Sequence, residues 1–198
     1  MTTTGNINFH AVADRLYELG YPKMPSNVQI SVSDAEAHLR EGIKYILGKD
    51  AVWSEVNYRP VVDWLTNNNG RGLLLAGGCG LGKSVIGMRV IPLLIYWQHR
   101  KIVSIYDARQ LNQKIDEILM KHIIYIDDIG VESMANSYGN KRIPFAELCD
   151  AAEKNGKLLM LSTNLSMTEL EEKYGSRTID RLRAITTPIV FRGSSLRH

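Results

Sequence analysis

The chain has 198 residues, 44% of them hydrophobic and 23% charged, with a formal net charge of +3, which suits one ordinary domain with a real core plus a small appendage. Its longest apolar run, near residues 90–97, is interrupted by Pro92, which excludes a membrane-spanning helix, and residues 1–5 lack the basic-then-apolar pattern of a signal peptide. Two cysteines, Cys79 and Cys149, exclude a disulfide framework or a cysteine-based zinc site and leave a reduced, cytoplasmic setting as the default.

Residues 7–19 carry Phe9, Val12, Leu16 and Leu19 at helical spacing and stop at Gly20. Residues 21–26, with Pro22 and Pro25, read as an extended linker. Ser33-Asp34-Ala35-Glu36 has the spacing of a capping box, after which Leu39, Ile43, Ile46 and Leu47 line one helical face up to Gly48. Residues 1–50 are thus expected to form a small helical extension and residues 51–198 the main domain. From residue 72 the pattern alternates. A strand at 72–76 leads to a helix from Val85 that Pro92 should kink or end. A strand at 102–106 precedes a helix from 107 to about 120 with Leu111, Ile115, Ile118 and Leu119 on one face. Strands at 122–127, 157–162 and 188–191 alternate with helices at 145–154, 167–174 and 177–184. This order predicts an α/β fold, a five-stranded parallel sheet covered on both faces. Only seven residues follow the fifth strand, so no C-terminal lid domain is expected. Trp53, Trp64 and Trp97 read as packing groups and Cys149 as core.

Between the first strand and the following helix stand Gly77-Gly78-Cys79-Gly80-Leu81-Gly82-Lys83-Ser84, a complete G-x-x-x-x-G-K-[ST] loop. Glycines let successive backbone N–H groups turn inward as an anion cradle at a helix N-terminus, with Val85 extending it. Lys83 has the reach for the β- and γ-phosphates of ATP, and the Ser84 hydroxyl suits Mg²⁺. Cys79 reads as a small filler whose alkylation would cost ATP binding.

The third strand runs Ile124-Tyr125-Ile126-Asp127-Asp128, apolar residues leading into acids where α/β sheets bind ligands. Asp127 is expected to hold Mg²⁺ with Ser84, and Asp128 to orient or deprotonate the attacking water, with Glu132 in reserve. Asn164, ending the neighbouring strand, is placed to sense the γ-phosphate or the water. Arg177 and Arg181 share a helical face. They fit either charge stabilisation on a transferring phosphoryl group or a surface helix in which Arg177 pairs with Asp180 or Glu172. Residues 177–197 hold five arginines and one acid, a basic segment that suits phosphates, whereas residues 34–55 carry five acids and three bases.

Residues 126–132 (Ile-Asp-Asp-Ile-Gly-Val-Glu), 162–164 (Ser-Thr-Asn), 174–183 (Tyr-Gly-Ser-Arg-Thr-Ile-Asp-Arg-Leu-Arg) and 193–197 (Gly-Ser-Ser-Leu-Arg) follow the phosphate loop in order. This string resembles the DnaC/DnaI-type replicative helicase loaders and the related IstB transposition ATPases of the AAA+ group, over roughly residues 55–198. The resemblance implies a P-loop NTPase (AAA+/ASCE) three-layer sandwich with strand order 5-1-4-3-2, ATP hydrolysis, Mg²⁺, and ATP-dependent homo-oligomers. It also implies Arg181 as an arginine finger acting in trans with Arg177 its partner, and Arg197 as a sensor reaching the nucleotide in cis. The implied partners are a replicative helicase and single-stranded DNA, the latter through the stretch with Ser133, Tyr138, Lys141 and Arg142. Residues 1–50 contain no cysteine, unlike the zinc-bearing N-terminal domains of some loaders, so the client is the least supported inference. A transposition-helper ATPase shares every motif. A small-molecule kinase or a non-hydrolysing nucleotide-gated scaffold would use the same loop without needing Asp128, Asn164 and the arginines together.

Overall fold

Each central strand is apolar on both sides. β1 (Gly72–Ala76) is buried throughout, as is β4 (Leu158–Thr163), and β3 (Ile123–Ile129) is buried except at its two acids. Such runs need a layer on each face. The computed structural model, which describes residues 7–23, 25–132 and 142–193, supplies both layers. β2 (Ser104–Asp107) and β5 (Thr186–Val190) complete an all-parallel sheet in the order β2-β3-β4-β1-β5. This is the expected 5-1-4-3-2 order of a P-loop three-layer sandwich, read from the other edge.

Alternate strand residues sort to the two faces. Leu73, Leu75, Ile123, Tyr125, Leu158 and Met160 pack under α2 (Ala35–Leu47), α3 (Glu55–Thr66) and α4 (Ile91–His99). Leu74, Ile124, Ile126, Leu159 and Leu161 pack under α5 (Leu111–Leu119), α6 (Pro144–Asn155), α7 (Met167–Tyr174) and α8 (Ser176–Ile185).

The N-terminal residues behave in two ways. α1 (Phe9–Glu18) buries none of its side chains and leaves Phe9, Val12, Leu16 and Leu19 exposed. Ile30, Val32, Leu39 and Ile43, by contrast, are buried in the same cluster as the sheet, so we place the start of the packed unit near residue 28. The side chain of Asn68, itself buried, fastens this segment. Its Oδ1 accepts from Ile30 N (2.8 Å) and Gly70 N (3.1 Å), and its Nδ2 donates to Val28 O and Arg71 O (both 3.0 Å). Asn68→Ala would strand several buried backbone groups and should cost about 3 kcal/mol in a denaturant titration. A loss under about 1 kcal/mol would mean that water replaces the amide.

Three local expectations are corrected. The capping box at Ser33 does not form: the helix begins at N-cap Asp34 in left-handed conformation (φ 48°) without a side-chain cap bond, and Glu36 instead binds Arg40 and Arg59. Trp97 is not a core packing group, being about half exposed with its ring 4.6 Å from that of His38. Pro92 does not end the helix. The segment Val85–Val90 is π-helical, with Ile91 N bonded to Ile86 O, and α4 continues from it without a break, Pro92 being its second residue. α3 was not foreseen at all, because Pro60 stands inside it. The other two tryptophans are packed as expected. Trp64 is buried with its indole N–H on Gly72 O (3.0 Å), and Trp53 lies edge-on to Tyr58 beneath the Arg40 guanidinium.

Candidate nucleotide site

The loop from Gly77 to Ser84 crosses the C-terminal end of β1 and opens into the π-turn. Gly77 has φ 139°, and a Cβ there would lie 2.4 Å from Phe191 O, so only glycine allows β5 to run on alongside the loop. Gly80 and Gly82 also have positive φ (79° and 87°). The backbone therefore reverses within a few residues, as a phosphate cradle requires. Gly78, Cys79 and Leu81 complete it, with Cys79 exposed and Leu81 buried.

A cleft of about 400 Å³ lies over this loop. Lys83, Ser84, Val85, Asp127, Asp128, Ser162 and Asn164 line one part, and Leu47, Asp50, Val52 and Tyr58 line another. The chain thus brings four of its predicted catalytic side chains, Lys83, Asp127, Asp128 and Asn164, to one wall. They are joined by hydrogen bonds. Lys83 Nζ donates to Gly77 O (2.6 Å), Gly78 O (2.8 Å) and Asn164 Oδ1 (2.9 Å). Asn164 Nδ2 donates to Asp128 Oδ1 (2.5 Å). Asp128 N donates to Ser162 Oγ (2.9 Å), and Ser162 Oγ donates to Asp127 Oδ1 (2.6 Å).

Adjacent strand residues normally point to opposite faces. Here both acids line the cleft because β3 carries a bulge. Ile126 pairs with Leu161 and Ile129 with Thr163, so Asp127 and Asp128 occupy the extra residue's width. Asp128 takes φ 62°, a left-handed conformation that aspartate tolerates better than most residues. Burial raises the Asp128 carboxyl above the usual carboxylate range. The Asp127 charge adds to this, while Lys83 opposes it. The carboxyl thereby becomes a better proton acceptor than a solvated one.

Other expected residues fall elsewhere. Neither Arg177 nor Arg181 lines the cleft of its own chain. Arg181 is held on α6, with Nη2 2.9 Å from Asp150 Oδ1 and Nε 3.0 Å from Glu153 Oε2, and Arg177 is exposed on the same face of α8. The alternative pairing of Arg177 with Asp180 or Glu172 does not occur among the described residues; Asp180 lies by Arg183 instead. The reserve base Glu132 is buried away from the cleft. It accepts from Gly130 N (2.9 Å) and from the Tyr174 hydroxyl, tying the segment after β3 to α7. Arg142 is bound by Asp116 (2.7 Å) and Glu147 (2.8 Å). Ser133, Tyr138, Lys141 and Arg197 lie outside the described residues. Ser162 and Tyr125 were not singled out from sequence. A serine two residues before Asn164 was the available signal for the first.

No protein-family model matches the sequence, and no curated protein matches it. Solved structures do match. The chain is similar to DnaI (22% identity, TM-score 0.51, covering 64% of this chain and 73% of that one). It is similar to a DnaC helicase loader over 86% of this chain and 94% of that one, at 16% identity and TM-score 0.52. It is also similar to a DNA replication initiation factor at 12% identity and TM-score 0.53, covering 70% of this chain and 47% of that one. The chain shares the fold of these structures, a five-stranded parallel sheet between two layers of helices.

Proposed function

We propose that this chain is an ATP-hydrolysing DNA replication protein that loads or remodels a replicative helicase on single-stranded DNA as an ATP-bound oligomer. The observation that carries the ATPase reading is the hydrogen-bonded chain from Lys83 through Asn164 to Asp128 on the wall of a cleft floored by the phosphate loop. Lys83 already fills the loop's carbonyls, so a triphosphate entering the cradle exchanges those contacts for its own oxygens. Asn164 lies between the lysine and the acid and can register that exchange. Asp128, with its raised affinity for a proton, is the base that orients the water.

The donors near the loop also fit Mg²⁺. Ser84 and Asp127 offer hard oxygens on the same cleft. Among the described residues no group of three or more His, Cys, Asp or Glu side chains forms a cage. This suits an ion that takes its remaining ligands from water and phosphate. Bound there, Mg²⁺ would neutralise charge on the β- and γ-phosphate oxygens.

The loader assignment rests on the fold likeness to DnaI and DnaC together with the arginine string of α8. A transposition helper is the rival with the same ATP site. The deciding experiment measures phosphate release from Mg²⁺-ATP with and without single-stranded DNA, then ATP-dependent co-elution with the replicative helicase of the same cells. We expect severalfold stimulation by DNA and co-elution. Hydrolysis that ignores DNA, with no helicase bound, would remove the loader assignment; no hydrolysis at all would remove the ATPase.

A further inference from the structure

We propose that Tyr125 is a positioning residue for the Asp127 carboxylate, fixing it from beneath for the ion that accompanies the nucleotide; this rests on the reading of the cleft as an Mg²⁺-ATP site. Tyr125 and Asp127 are two apart on β3 and face the same side of the sheet, towards the helix that follows the phosphate loop. Fully buried parallel strands usually carry aliphatic residues here, since a phenol brings a hydroxyl that must find a partner. Tyr125 is fully buried, and its hydroxyl donates to Asp127 Oδ1 at 2.9 Å. Ser162 Oγ donates to the same oxygen at 2.6 Å. Oδ1 is therefore held by two hydroxyls from two strands, and Oδ2 has no protein partner among the described residues.

The helix above is built around this ring. A Cβ on Gly87 would lie 2.1 Å from Tyr125 Cε2 and 2.4 Å from its hydroxyl, so only glycine lets the phenol pass. Gly87 sits in the π-turn Val85–Val90, whose wider helix starts directly at Ser84. The phenol, the glycine and the π-turn meet where one carboxylate needs a fixed direction. Groups that hold a metal's ligands in place commonly change metal affinity by 10- to 100-fold when removed.

Tyr125→Phe keeps the ring and deletes only the donor. The measurement is Mn²⁺ affinity of the ADP-bound protein, from free Mn²⁺ counted by electron paramagnetic resonance, alongside ADP affinity in EDTA. We expect Mn²⁺ affinity to fall about tenfold while ADP affinity in EDTA stays unchanged. Mn²⁺ affinity within about twofold of wild type, or a parallel loss of ADP affinity without metal, would make Tyr125 a mere space-filler. If the variant does not fold, Ser162→Ala interrogates the same oxygen, and unchanged Mn²⁺ affinity there overturns the proposal equally. Wild-type protein that takes up no Mn²⁺ with ADP would instead remove the reading of the cleft, and the proposal with it.

Discussion

Asp128→Asn should bind ATP as tightly as wild type and hydrolyse it 10²- to 10⁴-fold more slowly, the usual loss on removing a general base. The geometry makes this substitution clean. Asparagine is at home at φ 62°, and its Oδ1 can still accept from Asn164. Burial and the Asp127 charge both disfavour the ionised carboxylate, so the neutral amide should leave the melting temperature equal or slightly higher. Basicity and the negative charge are then lost while the shape is kept. Binding of a fluorescent ATP analogue and phosphate release, measured on the same preparation, separate the two effects. Turnover that survives would take Asp128 out of the mechanism.

Arg181→Ala should lower turnover by at least 10³-fold, the scale of an arginine finger, while ATP binding persists. An equimolar mixture with Lys83→Ala should recover part of the activity. Each variant alone lacks one half of every site, whereas a mixed interface can pair an intact loop with an intact arginine. The structure offers a contrasting outcome. In its own chain Arg181 is held by Asp150 and Glu153 on α6 and does not line the cleft. If that clasp is its whole role, the variant should lose no more than about 1 kcal/mol of stability and keep its turnover. To serve a neighbour the guanidinium would have to leave these two carboxylates, so assembly competes with an internal ion pair.

The phosphate loop, the acids of β3, Asn164 and the alternation of strand and helix were legible in the sequence because each rests on local rules. Glycines sit where positive φ is needed, apolar runs make buried strands, and polar groups stand at strand ends. The features that failed depend on tertiary partners. α3 contains Pro60, which argues locally against a helix, yet its buried face of Tyr58, Val61, Val62, Trp64 and Leu65 holds it against the sheet. Glu36 had the spacing of a cap, but the Arg40 and Arg59 guanidinium groups took its carboxylate. Both Asp127 and Asp128 were expected at the site, but the bulge that turns both to the cleft shows only in the register between β3 and β4. Glu132 looked available as a base until its fold neighbours, Tyr174 and Gly130, proved to own it.

The π-turn at Val85–Val90 amounts to one residue more than an ordinary helical turn would hold. Everything after it is therefore rotated by a single residue's step of about 100° relative to an uninterrupted helix leaving the loop. That phase sets which side of α4 is dry: Ile91, Leu94 and Ile95 face inwards, and Leu93, Tyr96 and Trp97 face outwards. Losing one residue from the turn would swing those sides by about 100° and move Gly87 off the Tyr125 ring. Away from Gly87 the helix can accept substitutions singly, but its length is not free to drift, and any alignment that spaces this loop from α4 without a gap would compare residues about 100° apart around the helix.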